Sequence, residues 1–248
     1  MFLTYGNDPC PLCGQRHRMR EEPRARRLAL QVMAELSTTL AGRITGGRSQ
    51  RFMMGVLMQG HTVLISRSGA KTGALQSAVK PLGRLGIRDA HTNALQRYQV
   101  SIAPHVRPPY TSAGGCPIDV GELEAIRPPG VHPQMGSCAA PHLILEARRR
   151  GLNLSTASLS EVWYHPNTQR RTEAIEKGQE NYDHGISAYH CESCRLLVPA
   201  LLCPCNTASS AGLIALHEAK IRGAATVGTS GAKIQTGVSV SALRKKFE

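Results

Sequence analysis

The sequence predicts an α/β fold, and three observations carry that prediction. Apolar residues recur on one helical face between Glu22 and Gly42, two apolar runs flank the turn signal Gln59-Gly60, and two helix-like stretches each begin at a cysteine with a β-rich run between them. A chain of 248 residues is long enough for one well-buried core with sizeable insertions. The expected organisation is an N-terminal extension over residues 1–21 and one main domain over 22–248.

The first helix is read from Leu28, Val32, Met33, Leu36 and Leu40, a single stripe closed by Gly42. A Gly/Arg/Ser linker, Arg43 to Gln50, leads into RFMMGVLMQGHTVLISRSG, which reads as two strands turning at Gln59-Gly60. Its exit, Arg67 to Lys71, is basic. The next stretch holds Pro104, Pro108, Pro109, Pro117, Pro128, Pro129 and Pro133, with helical possibilities only near Leu75–Leu85 and His91–Gln99. It is expected to be a long functional insertion.

Order returns at Cys138. Pro141 suits a first helical turn, Leu143, Ile144 and Ala147 form an apolar stripe, and Arg148 to Arg150 before Gly151 complement the negative helix end. The β-rich Val162-Trp163-Tyr164 stops at Pro166, and a polar loop runs from Asn167 to Gly185. Cys191 opens a second helix with Cys194, Leu197, Val198 and Leu201 buried, which Pro199 should kink or shorten. Beyond Asn206 a further helix and small edge strands are expected.

Lys and Arg total 30 against 17 Asp and Glu, a formal charge of +13 that favours polyanionic partners, nucleic acid above all. No stretch has membrane-spanning length, and MFLTYGNDPCPLCGQRHR lacks the apolar run of a secretory signal. A soluble chain made inside the cell is expected.

Six of the eight cysteines form close pairs, Cys10/Cys13, Cys191/Cys194 and Cys203/Cys205, leaving Cys116 and Cys138 single. Pairs this close read as metal ligands more readily than as bridges, because a disulfide across so short a spacer is strained. Cys138, Cys191 and Cys194 supply three thiolates at two helix starts, where the macrodipole favours the ionised sulfur. Cys10, Cys13, Cys203 and Cys205, with His17 as substitute, are candidates for a second, structural zinc site. Three buried cysteines used as small apolar residues, or a Cys-x-x-Cys redox pair, are the bland competitors.

The wording SCAAPHLI, EVWYHP and a Cys-x-x-Cys helix ending LLVPALLC resembles the zinc-dependent cytidine-deaminase-like superfamily, in particular the YwqJ-like and single-strand DNA deaminase clades of polymorphic toxins. The resemblance spans roughly Phe52 to Cys203. It implies a three-layer fold with a central mixed sheet flanked by helices, an N-terminal extension and a long insertion before the first zinc motif. It also implies conversion of cytosine to uracil in DNA, with zinc-activated water attacking a flipped base, and an immunity protein as partner if the chain is a delivered toxin domain.

The family's proton-carrying glutamate belongs at position 140, where this chain has Ala140. An inactivating Glu-to-Ala change is the leading reading; a naturally inactive binding relative, or a surrogate acid such as Glu192, Glu161 or Glu146, stand beside it. Base and phosphate contacts are expected from Phe52, Ser68, Lys71, Trp163, His165 and Arg195, with Arg67, Arg107, Arg127, Arg170 and Arg171 as further phosphate candidates. A core role for Phe52 or Trp163 is an equal alternative. The alternative function is a zinc-stabilised nucleic-acid-binding module without catalysis.

Overall fold

Four strands form the central sheet of the computed structural model, which describes residues 4–41, 52–69, 75, 76, 79, 87–88, 95–127, 135–164 and 191–206. They are β3 (Phe52–Gln59), β4 (Thr62–Arg67), β7 (Gln99–Ile102) and β10 (Ser158–Tyr164), in the order β10-β3-β4-β7. β10 and β4 both run antiparallel to β3, with Glu161 opposite Gly55 and Leu57 opposite Leu64. β7 joins β4 in parallel, Val63 beside Val100. The sheet is therefore mixed.

Side-chain alternation along the strands divides two cores. Phe52, Met54, Val56, Met58, Val63, Ile65, Val162 and Tyr164 face helix α1 (Pro23–Ala41), whose Leu28, Val32 and Leu36 are fully buried among them. Leu57, Leu64 and Leu159 face the other way, towards α3 (Ala139–Arg149) and α4 (Glu192–Leu202), which present Leu143, Ile144, Ala147, Leu197, Val198 and Leu201. Helices thus cover both faces of the sheet. Among the described residues no helix is long and apolar enough to cross a membrane.

Gly55 sets how closely α3 lies on the sheet. A Cβ there would come within 2.7 Å of Leu143 Cδ1 and 3.0 Å of Ala139 Cβ, so only glycine admits the helix start at this depth. At the far end of α3, Arg149 and Arg150 both grip the buried Glu146 carboxylate, with the Arg150 Nε at 2.6 Å. Arg150 also donates to Ser101 on β7, fixing the helix to the sheet edge.

The extension packs along the free edge of β10. After β1 (Thr4–Tyr5) and β2 (Met19–Arg20) the chain reaches Glu21 and Glu22. Here the Ser160 hydroxyl donates to Glu21 at 2.5 Å, the Glu22 N–H donates to Ser158 Oγ, and the Glu161 N–H donates to the hydroxyl of buried Tyr5. The last of these satisfies a backbone edge group that would otherwise template another strand.

One expectation fails. The helical reading of His91–Gln99 is overturned over its described residues, 95–99, since β6 (Leu95–Gln96) pairs with β5 (Ile87–Arg88) and Gln99 opens β7. The insertion also contributes β8 (Tyr110–Thr111), β9 (Pro117–Ile118) and helix α2 (Val120–Ile126), capped by Asp119. Pro199 lies inside α4, about one turn before its end at Leu202. The linker, most of Leu75–Leu85, the loop from Asn167 to Gly185 and everything beyond Asn206 lie outside the described residues.

Candidate metal centres

Cys138 is the N-cap of α3 and Cys191 the N-cap of α4, both in extended backbone conformation. Their sulfurs lie 3.3 Å apart, and the Cys194 Sγ completes a group in which all three ligand atoms lie within 4.8 Å of one another. Hydrogen bonds from Cys138 and Cys194 hold the Cys191 thiol well below its ordinary range, while the same coupling pushes Cys138 and Cys194 up. One negative charge sits easily among three buried sulfurs; three need a cation. The donor set fits a soft or borderline divalent ion with one tetrahedral position left over.

A carboxylate stands at this opening. Glu161 is 3% exposed, lies on the sheet face turned to α3, and accepts the Ala140 N–H at 2.9 Å through Oε1. Burial raises its pKa to about 8, and the charge of Cys191 acts in the same direction. Ala140 itself is fully buried beneath it. The other surrogate acids are engaged elsewhere, Glu146 with Arg149 and Arg150 at the far end of α3, and Glu192 with Arg195 at the surface.

A second group of ligands forms at the opposite end of α4. Cys10, Cys13, His17 and Cys203 bring their ligand atoms within 4.8 Å of one another, with Cys13 Sγ 3.1 Å from His17 Nε2 and 3.7 Å from Cys203 Sγ. The Cys-Pro-Leu-Cys-Gly turn is built for this. The Leu12 N–H donates to Cys10 Sγ at 3.3 Å, and Gly14 takes φ +74°, a conformation costly to residues with a Cβ. Burial raises Cys10 to about 11 and lowers His17, so the neutral imidazole a metal requires is the favoured form.

Cys205, expected as the fourth ligand, is not in that group. Its carbonyl instead accepts from the Ser112 hydroxyl at 3.2 Å, tying the β8–β9 loop to the end of α4. His17 takes the position.

The expected nucleic-acid contacts scatter. Phe52 is buried on the α1 face, stacked on Tyr164, with Arg67 3.9 Å above its ring, so neither reaches the cysteine face. Arg195 is bound by Asp8 and Glu192, and Arg127 by Glu124 and Ser193. Ser68 does lie beside the first motif: its hydroxyl accepts from Met53, and the next residue, Gly69, donates to the carbonyl of Ser137. Trp163 is half-buried and shares the strand face of Glu161, while Arg107 is exposed. Lys71, His165, Arg170 and Arg171 lie outside the described residues.

A cleft of about 800 Å³ opens where α3 and α4 both end, lined by Arg18, Arg148, Arg149, Leu152 and Leu202. It adjoins His17, not the three-sulfur group. No family model, curated protein or solved structure matches the chain.

Proposed function

We infer that this chain is a zinc-dependent deaminase of the cytidine-deaminase-like kind, acting on cytosine in DNA. The observation that carries this reading is the meeting of Cys138, Cys191 and Cys194 at two adjacent helix openings. Three thiolates suit zinc, and three protein ligands rather than four are what a catalytic site provides. The sheet with α1 on one face and two cysteine-capped helices on the other agrees with the family's order of parts.

When bound there, zinc supplies a Lewis acid that brings the pKa of a water down to about 7. The chain supplies the rest. The positive ends of α3 and α4 stabilise the thiolates and any developing negative charge. Half-buried Trp163 is the described aromatic best placed to stack a base, and the +13 charge supports a polyanionic substrate held in a salt-sensitive manner. Cys10, Cys13, His17 and Cys203 would hold a second, structural zinc.

The absence of a carboxyl side chain at position 140 favours a second reading, a zinc-stabilised nucleic-acid-binding module. One experiment separates the two. Metal analysis of the purified chain is expected to give two zinc ions. Incubation of the chain, and of its Ala140→Glu variant, with cytosine-containing single- and double-stranded DNA is expected to yield uracil from at least one. Two zinc ions with no uracil from either protein would leave the binding module.

A further inference from the structure

We propose that Glu161 carries the protons that the family's glutamate at position 140 would otherwise carry. This rests on the deaminase reading above and names the residue that completes its site. Four geometric facts support it. Glu161 projects from β10 at the pair with Gly55, against which Ala139 and Leu143 of α3 pack, so its carboxylate is delivered to the start of that helix. It is bound there through the Ala140 N–H, two residues from Cys138, whose sulfur touches that of Cys191.

Among the described residues its second oxygen has no hydrogen-bond partner and no cation pairs with it. Finally, Ala140 is fully buried and brings no carboxyl group of its own, so Glu161 is the carboxyl group held at this helix start.

The step balances with water as the only co-reactant. The carboxylate takes a proton from the attacking water; the hydroxide forms a bond to C4 of cytosine as Glu161 returns that proton to ring N3. The water's other proton leaves as the C4 hydroxyl becomes a carbonyl and passes through the same carboxyl to the exocyclic nitrogen. The C4–N bond breaks, ammonia departs, and Glu161 is a carboxylate again.

The test uses the zinc-loaded chain and the variants E161Q, E161D, A140E and A140E/E161Q. The unmodified chain should produce uracil. E161Q keeps an oxygen for the Ala140 N–H, so it should retain zinc, melting temperature and affinity for a cytosine-containing oligonucleotide while turnover falls by about 100-fold or more. E161D, one methylene short, should fall between, and A140E/E161Q should regain part of the activity.

In cobalt-substituted protein the pH midpoint of the visible spectrum should move in E161Q and stay put in Glu192→Gln. E161Q as active as the unmodified chain, or an unmoved spectrum, would overturn the proposal and spare the deaminase reading. So would an inert unmodified chain beside an active A140E. Zinc-loaded proteins all inert would take down both.

Discussion

The two ends of α4 hold the same kinds of metal-binding side chains in different numbers and surroundings. At the N-terminal end three sulfurs from two helix openings share their space with a buried carboxylate that has an oxygen to spare. At the C-terminal end, on the order of 16 Å away by helical rise, three sulfurs and an imidazole close around one point, with no carboxylate in the group among the described residues. Ligand count separates them. Four protein donors saturate a tetrahedral ion and make it a staple; three leave it reactive.

The difference extends to what each cluster joins. The closed group links residues far apart in the chain, Cys13 to Cys203, and fastens the N-terminal extension to the end of α4. The open group links two helices already packed against each other, one of which, α3, lies on the sheet. Breaking the closed group should therefore be the more destructive change. Cys203→Ala is expected to lose one zinc and more than about 4 kcal/mol of stability, with the extension becoming protease-sensitive. Cys138→Ala should lose the other zinc for about 2 kcal/mol, while ending turnover. Metal analysis paired with denaturant melts checks both, and equal stability losses would erase the distinction.

Acid should reach the molecule first through the open end. One turn after Cys138, buried His142 accepts the Val106 N–H at Nδ1, lies 4.3 Å from the His105 ring, and has no partner for Nε2 among the described residues. Burial, helped by His105, lowers its pKa to about 4. The folded state thus keeps His142 neutral in a range where the unfolded chain binds a proton. Its contribution is complete above about pH 6.5 and is lost as the pH falls towards 4. Between pH 7 and pH 5 the unmodified chain should lose about 2 kcal/mol more than His142→Gln, read by urea unfolding at each pH. Parallel losses would show that His142 is not the titrating group.

Much of the open end is legible in the amino-acid sequence. The helix starts at Cys138 and Cys191 follow from local signals: Pro141 in the first turn, apolar stripes, arginines at the close of α3. That two such starts meet is what the resemblance implies as an expectation, and the Cys-x-x-Cys spacing puts two of the three sulfurs on one helix start. Glu161 is one of three candidate acids by sequence, and nothing local raises it above Glu146 or Glu192. Its role depends on the register of β10 against β3, which a strand of mixed polar and apolar residues does not announce. β7 is hidden for a related reason. Its four residues sit in a proline-rich stretch and become a strand only through parallel pairing with β4, a non-local contact.

The closed end is only half legible, and the misassigned ligand yields the smallest and sharpest test. Cys203 and Cys205 look equivalent as a pair two residues apart, and an extended chain would turn both the same way. Docking of the β8–β9 loop decides between them: Gly114 donates to the Cys203 carbonyl and Ser112 to that of Cys205, so the chain after α4 is held through its backbone. Neither bond uses a Cys205 sulfur. Cys205→Ala should accordingly keep both zinc ions and change stability by less than about 1 kcal/mol. His17→Ala, in contrast, removes a donor from the closed set and should loosen that zinc, seen as faster transfer to a chelator. Were Cys205→Ala the variant that sheds metal, the fourth ligand would be a sulfur, and His17 would be only a neighbour.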